Sequence, residues 1–270
     1  MSDAKRWPTA LISGGGSGIG LRIATVLRSS GTAVAVLDRT IGEEVRSWAE
    51  AGGGAPATVH EVDVTDGEAL GATVADAVAT IGPPALAINS AGVQASAAFE
   101  ELSEERFRSV IDVNLIGSRN FAAAVLPSLE PGAKLALIAS LAGLVPNYGY
   151  AAYSASKFGV IGLAGCLRLE YKPKRIDVRV ICPPEVETPM VDEERLSGDE
   201  VGLELKKFSG TLELDDACEQ ILAGLAGRQW MIVPGRKGRL TRRLAQFTPG
   251  LMRWTSDRMV RQALAERRRS

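Results

Sequence analysis

The chain has 270 residues, of which 46% are hydrophobic and 23% charged, with a formal net charge of −1. That balance excludes a disordered chain, which needs low hydrophobicity and high net charge, and the length suffices to bury a core without disulfides or structural metal. Three scattered cysteines, Cys166, Cys182 and Cys218, and one histidine, His60, set aside a zinc cage, a disulfide framework and a histidine-based triad, so no metal site is expected and the compartment reads as reducing and cytoplasmic.

Residues 1–7 are polar and charged and run straight into a strand-like segment, which argues against a cleaved leader, and no apolar run reaches the roughly 18 residues that cross a bilayer. Strands are predicted at Thr9–Ser13, Ala33–Asp38, 58–64, 85–89, 134–140, 177–182 and 230–234. Helical spacing occupies 18–29, 41–51, 67–80, 103–129, 151–171 and 215–226. The strands are nearly continuous apolar runs, such as AVAVLD, as in a parallel sheet covered on both faces. Their alternation with helices predicts an α/β fold, a doubly wound parallel sheet of seven strands with helices on both faces.

The first strand leads into Ser13-Gly14-Gly15-Gly16-Ser17-Gly18-Ile19-Gly20, and a helix follows. Glycine supplies the positive φ of a tight turn, and bare backbone N–H groups at a helix N-terminus accept a pyrophosphate. Asp38, 18 residues after Gly20 at the end of the second strand, is placed to accept hydrogen bonds from a ribose. Strand, loop, helix and acid together predict dinucleotide binding, where a glycine cluster alone would read as a flexible turn. Asp38 would repel a 2′-phosphate, which favours NAD over NADP. The adjacent Arg39 could meet such a phosphate or stack on adenine.

The spacing Ser-Gly-x-x-x-Gly-Ile-Gly resembles the glycine motif of short-chain dehydrogenases/reductases, and the resemblance extends over residues 8–235. Asp63-Val64 is similar to the pair that binds adenine after strand three. Asn89-Ser90-Ala91-Gly92 resembles the Asn-Asn-Ala-Gly motif, with Ser90 replacing the second Asn. Tyr153-Ser154-Ala155-Ser156-Lys157 is similar to the family's Tyr-x-x-x-Lys, with Ser140 and Asn114 at the places of its other catalytic residues. The resemblance implies a Rossmann-type fold and hydride transfer between a secondary alcohol or ketone and NAD, or NADP less favourably. Proton transfer to the substrate oxygen needs a general acid/base, and a free phenol with a pKa near about 10 is poorly matched to neutral pH. Tyr153 and Lys157 share a helix face, so the ammonium, with the oxidised cofactor, is expected to lower that pKa. Lys157 would also bind the nicotinamide ribose, Ser140 orient the substrate oxygen, and Asn114 anchor a water that relays protons to Lys157. Each has a plainer reading: Ser140 as a turn former, Asn114 as a helix-bending residue, Asp63 as a helix cap.

After strand six the chain reads Cys182-Pro183-Pro184-Glu185-Val186-Glu187-Thr188-Pro189. Pro183, Val186 and Thr188 fit the family's nicotinamide contacts, whereas Pro184 stands where a glycine is usual and cannot adopt positive φ. The Pro-Pro form resembles that of 3-ketodihydrosphingosine reductases and points toward long-chain lipid ketones. Residues 189–213 are polar and interrupted by glycine, as a mobile lid would be.

Residues 1–235 read as the dinucleotide-binding catalytic domain and 236–270 as a helical extension. The former hold 20 basic and 30 acidic side chains and the latter 11 basic and 2 acidic. Leu240, Leu244 and Phe247 form one apolar stripe beside Arg239, Arg242 and Arg243. Thr248-Pro249 opens a second amphipathic segment carrying Leu251, Met252, Met259, Val260 and Leu264 beside Arg253, Arg258 and Arg261, with Trp254 nearby. The extension either packs on its own acidic body or a neighbouring subunit, which is favoured, or lies on a membrane surface. No nucleic-acid recognition motif accompanies the arginines. The expected partners are a small-molecule alcohol or ketone and a second copy of the chain, in a homodimer or homotetramer paired through 103–129 and 151–171. The alternative is a catalytically silent, nucleotide-binding or membrane-recruited protein of the same fold.

Overall fold

The structure is a computed structural model that describes residues 7–52, 54–206 and 210–267. Most of the polar segment 1–7, and residues 207–209 of the expected lid, lie outside the described residues.

The elements follow the predicted alternation. The first half runs β1 (Thr9–Ser13), α1 (Gly18–Ser29), β2 (Ala33–Asp38), α2 (Glu43–Glu50), β3 (Ala57–Glu61), α3 (Gly67–Ile81), β4 (Leu86–Asn89), α4 (Glu104–Ile111) and α5 (Gly117–Val125). The second half runs β5 (Lys134–Ile138), α6 (Ala151–Tyr171), β6 (Asp177–Ile181), β7 (Glu185–Val186), α7 (Pro189–Ser197), α8 (Glu200–Lys206), β8 (Thr211–Leu212), α9 (Leu214–Ala226), β9 (Met231–Ile232), α10 (Arg236–Phe247) and α11 (Pro249–Arg267).

Seven strands form one parallel sheet in the order β3-β2-β1-β4-β5-β6-β9. Side chains alternate between its faces, as the pleat requires. Leu11, Leu37, Leu135, Leu137 and Val180 meet Leu70, Phe121, Val125 and Val160 on one face. Ile12, Val36, Ile88 and Ile138 meet Ile23, Leu27, Ile221 and Leu225 on the other. This is the doubly wound, Rossmann-type arrangement, and it leaves the carboxyl ends of all seven strands at one edge. The order reverses between β1 and β4, which opens a crevice there.

Several predicted elements differ in detail, the fifth strand ending at Ile138 and the last of the sheet spanning only Met231–Ile232. The third strand stops at Glu61, because Asp63 turns the chain, its Oδ1 accepting from the Thr65 N–H at 2.8 Å. Asp66 then caps α3 by accepting from the N–H groups of Glu68 and Ala69. The predicted helix 103–129 is broken by a π-helical turn at Asp112–Ile116 between α4 and α5, and closes in a 3-10 turn at Leu126–Ser128. π-turns inside α-helices are rare and concentrate at functional sites, and this one holds Asn114. The extension forms two helices, with α11 opening at Pro249 after Thr248 as expected. The stripe assigned to α10 does not face the body: Gly238 and Thr241 are its buried residues, while Leu240 and Phe247 point outward.

The first loop is as tight as the glycines promised. A Cβ on Gly20 would fall 2.1 Å from the Gly14 carbonyl oxygen, whereas one on Gly71, within α3, would meet nothing inside 4 Å. Gly20→Ala should therefore lower stability by at least about 2 kcal/mol, or roughly 4–8 °C in the thermal midpoint. Gly71→Ala should leave it unchanged or raise it slightly. Thermal melts of the two variants beside the parent check the contrast.

Candidate active site

Loops at the carboxyl edge enclose a cavity of about 390 Å³. From the first loop it receives Gly14, Ser17, Gly18 and Ile19, followed by Asp38 and Arg39 after β2. Asp63, Val64, Ala91 and Gly92 continue the wall past β3 and β4. Gly14 and Gly18 take positive φ, at +65° and +50°. A Cβ on Gly14 would sit 2.3 Å from the Ala91 nitrogen, and one on Gly18 would sit 3.3 Å from Thr188 Cγ2. The loop is thus stripped of side chains where it meets the β4 loop and the segment after β6, which suits a bound pyrophosphate. Asp38 also braces this loop, its Oδ2 accepting from the Gly16 N–H at 2.8 Å. These residues could hold a dinucleotide, the glycine loop taking its phosphates and Asp38 its adenosine ribose.

The chemical end is built on α6. Tyr153 and Lys157 lie one turn apart and both line the cavity, with Ser140, Pro183, Val186 and Thr188 around them. Lys157 is buried; its Nζ donates to the Ile138 carbonyl at 3.1 Å and stands 5.5 Å from the centre of the Tyr153 ring. The Ser140 hydroxyl accepts from the Ala142 N–H at 3.1 Å, which fixes it at the end of β5. Ser140 thus forms a turn and lines the cavity as well.

The expected lowering of the phenol pKa is not present in this chain alone. Burial pushes Tyr153 up, and the Ser140 side chain and the charge of Lys206 only partly oppose it. Burial also pulls the Lys157 ammonium down to about 8, with Cys182 opposing. Cys182, buried nearby, is pushed up to about 12 by the same desolvation, against the charges of Arg242 and Lys157. It is an inert thiol at neutral pH.

Four predicted residues stand behind the wall rather than on it. The buried Ser13 hydroxyl donates to Asn89 Oδ1 at 2.5 Å, and Asn89 Nδ2 donates to Ser118 Oγ at 2.8 Å. Ser118 in turn donates to the Asn114 carbonyl at 2.5 Å. This chain of bonds ties the first loop to the π-turn. Gly20 packs inside that same loop. The Asn114 side chain grips the backbone of Val93, accepting its N–H at 2.8 Å and donating to its carbonyl at 2.9 Å, and also donates to Ser156 Oγ at 2.9 Å. It thereby joins the β4 loop to α6. A Cβ on Gly92 would lie 3.2 Å from Asn114 Oδ1 and 3.4 Å from Lys157 Nζ, so the glycine keeps the space between them free.

Other residues of the cavity escaped the sequence reading. Tyr150 donates to Glu194, and Lys206 Nζ pairs with Glu194 Oε2 at 2.5 Å and Glu185 Oε2 at 3.2 Å. This buried network fastens α7 and α8 to the N-terminus of α6, and the Tyr150 ring meets Tyr153 edge-on at 6.3 Å. Lys206, Thr211 and Arg195 hold the Glu185 carboxyl below its usual range, although burial opposes them. The buried Nε2 of Gln94 lacks a partner at the cavity wall. Finally, α11 contributes Met252, Thr255, Ser256 and Met259 to the cavity. Gln94 alone carried a local signal, being an amide between Val93 and Ala95.

Residues 8–198 match the family model of short chain dehydrogenases. The chain is 36% identical over 223 residues to a 3-dehydrosphinganine reductase of Arabidopsis thaliana, covering 80% of this chain and 67% of that protein. Among solved structures it resembles a short chain dehydrogenase from Mycobacterium paratuberculosis bound to NAD, with TM-score 0.72, 24% identity, and coverage of 84% of this chain and 95% of that one. It also resembles one from Burkholderia cenocepacia J2315 in complex with NADP, with TM-score 0.77, 21% identity, and coverage of 92% and 96%.

Proposed function

This chain belongs to the short-chain dehydrogenase family, and we propose that Tyr153 is the group through which it interconverts a secondary alcohol and a ketone on NAD or NADP. The observation that carries the reading is the shared face of α6: Tyr153, Lys157 and Ser140 converge on one wall of a cavity whose other end suits a dinucleotide. The bound nicotinamide supplies or accepts the hydride. Ser140 holds the substrate oxygen and polarises it. Tyr153 gives that oxygen a proton in reduction and takes it in oxidation. Lys157 favours the phenolate and holds the nicotinamide ribose, and the gap beside Gly92 gives a water access to Lys157 and Asn114. The silent, nucleotide-binding alternative is not favoured, because it leaves this complete set of groups without a task.

Several finer points belong to the same reading. Asp38 favours NAD, since a 2′-phosphate would meet a carboxylate already oriented by Gly16. Residues 1–235 form the catalytic domain and 236–270 the appended extension. Two or four copies pair through α4, α5 and α6, where Ile116, Phe158 and Leu169 are exposed. The substrate is lipid-like, a point supported by the name of the Arabidopsis relative. The outer face of α10 and α11 rests on an anionic membrane surface. Phe247 is 74% exposed and Trp254 54%, and both stand among the exposed Arg243, Arg253 and Arg258. No helix among the described residues is long and apolar enough to cross a membrane.

Tyr153→Phe should lower turnover by at least about a hundredfold while leaving dinucleotide affinity unchanged. A burial-raised phenol is protonated at neutral pH, so ketone reduction should be flat there and fall as pH rises past its pKa. Alcohol oxidation should do the opposite. Steady-state rates in both directions, with dinucleotide titration of the variant, check this; undiminished turnover removes Tyr153 from its role. Asp38→Ser should shift the ratio of kcat/KM for NADP over NAD upward by about tenfold or more, equivalent to ~1.4 kcal/mol. Vesicles containing phosphatidylserine should co-sediment the parent chain and lose it when Phe247 and Trp254 are both replaced by Ser.

A further inference from the structure

The helical extension does not end beside the reaction cavity; it covers it. Met252, Thr255, Ser256 and Met259 recur along one face of α11 and line the cavity, and Thr241 of α10 joins them. α11 packs on α8, the helix that carries Lys206. These side chains therefore enter at the end beside α8. The other end is committed to the dinucleotide. The part of a substrate that extends beyond its reacting carbon must then lie under α11.

Apolar side chains stand at that end among the hydroxyls of Thr241, Thr255 and Ser256. Leu141, Val145, Met190 and Val191 line it beside the two methionines. Methionine is unbranched and polarisable, so it adapts to chains and rings of varied shape. The charges of Lys206, Glu194 and Glu185 are already paired with one another and would have to be unpaired to bind an ionic substrate. Burying an apolar chain contributes about 0.8 kcal/mol per methylene, enough for a roof of this kind to rank substrates by length.

We propose that α11 is the specificity element of this enzyme. Met252 and Met259 form an apolar roof that selects alcohols and ketones bearing a flexible apolar chain on the reacting carbon. The inference rests on the oxidoreductase reading of the same cavity and goes beyond it by assigning substrate choice to the C-terminal helix.

The test uses the full-length chain, saturating dinucleotide and a series of methyl ketones from butanone to dodecanone. For the parent, kcat/KM should rise along the series. Met252→Trp and Met259→Trp, which fill the space under the roof, should lower kcat/KM for the long ketones by about tenfold or more through KM. The values for butanone and the KM for the dinucleotide should stay within about twofold. Met252→Leu and Met259→Leu should keep the parent's length preference, which separates lost room from general disturbance of the fold. Equal losses on every ketone, or no loss on any, would overturn the proposal. Calorimetric titration of dodecanol into the dinucleotide-loaded chain keeps the two levels apart. Binding by the parent that disappears in the Trp variants upholds the roof even if no ketone is turned over, an outcome that would sink the oxidoreductase reading alone. Binding that persists unchanged in the Trp variants overturns the roof, as does a parent that neither binds dodecanol nor prefers longer ketones.

Discussion

The site depends on a buried ammonium and a half-buried phenol on adjacent turns of one helix. Removing Lys157 from water is costly unless the charge is met, and the structure meets it with the Ile138 carbonyl and a Tyr153 ring 5.5 Å away. The same burial pulls Lys157 down to about 8 and pushes Tyr153 up. Burial thus leaves Lys157 poised near neutral pH and the phenol protonated. Such poise is useful only if α6 cannot shift. Gly143 sees to that on one side, because a Cβ there would fall 2.7 Å from the Lys157 carbonyl oxygen. Asn114 sees to it on the other through Ser156.

Seen from α6, the π-turn has a structural purpose. Asn114 spends its amide on Val93 and Ser156, and its own carbonyl receives Ser118. The bonds continue through Asn89 to Ser13, at the start of the glycine loop. The glycine loop, the β4 loop and α6 are therefore coupled through one buried polar chain. A fully satisfied network of this kind rigidifies a core, where a partly satisfied one would weaken it.

The sheet and most of the site were legible because their signals are local. Buried parallel strands announce themselves as apolar runs, and Tyr153 and Lys157 are four residues apart on a helix whose direction the fold dictates. Ser13, Gly20, Asn89 and Asn114 were found by motif but stand behind the cavity wall, since a motif preserves support as faithfully as contact. What stayed hidden was long-range. The pairing of Tyr150 with Glu194 joins residues 44 apart in sequence, and nothing near either one marks it. The polar stretch containing Glu194 and Lys206 read as a mobile lid, although Lys206 pairs with Glu194 and Glu185 and Arg195 pairs with Glu185. The π-turn was equally silent, and the bonds of its Asn114 run to Val93 and Ser156, 21 and 42 residues away.

The extension shows how charge and packing can be separate matters. Its surplus of arginines suggested attraction to the acidic body, yet contacts that hold α10 there go to neutral groups. Arg239 reaches Gln220 Oε1 at 3.3 Å and the Val233 carbonyl at 3.4 Å, and Arg242 reaches the Met231 carbonyl at 3.5 Å. Gly238, buried against Val233, Leu141 and Pro184, lets α10 settle directly on the strand ends. Pro184, the departure from the family's glycine, forms part of that seat. Once α10 is fixed there, the bend at Thr248-Pro249 returns α11 across the cavity, and the helix must satisfy two environments at once. Its methionines face the cleft while Leu251, Trp254, Arg253, Arg258 and Arg261 face outward. A stripe drawn along the sequence merges these two surfaces. The fold separates them, so an apolar residue on α11 is not a single kind of signal: Met252 bears on which substrate fits, and its neighbour Leu251 on what lies outside the molecule.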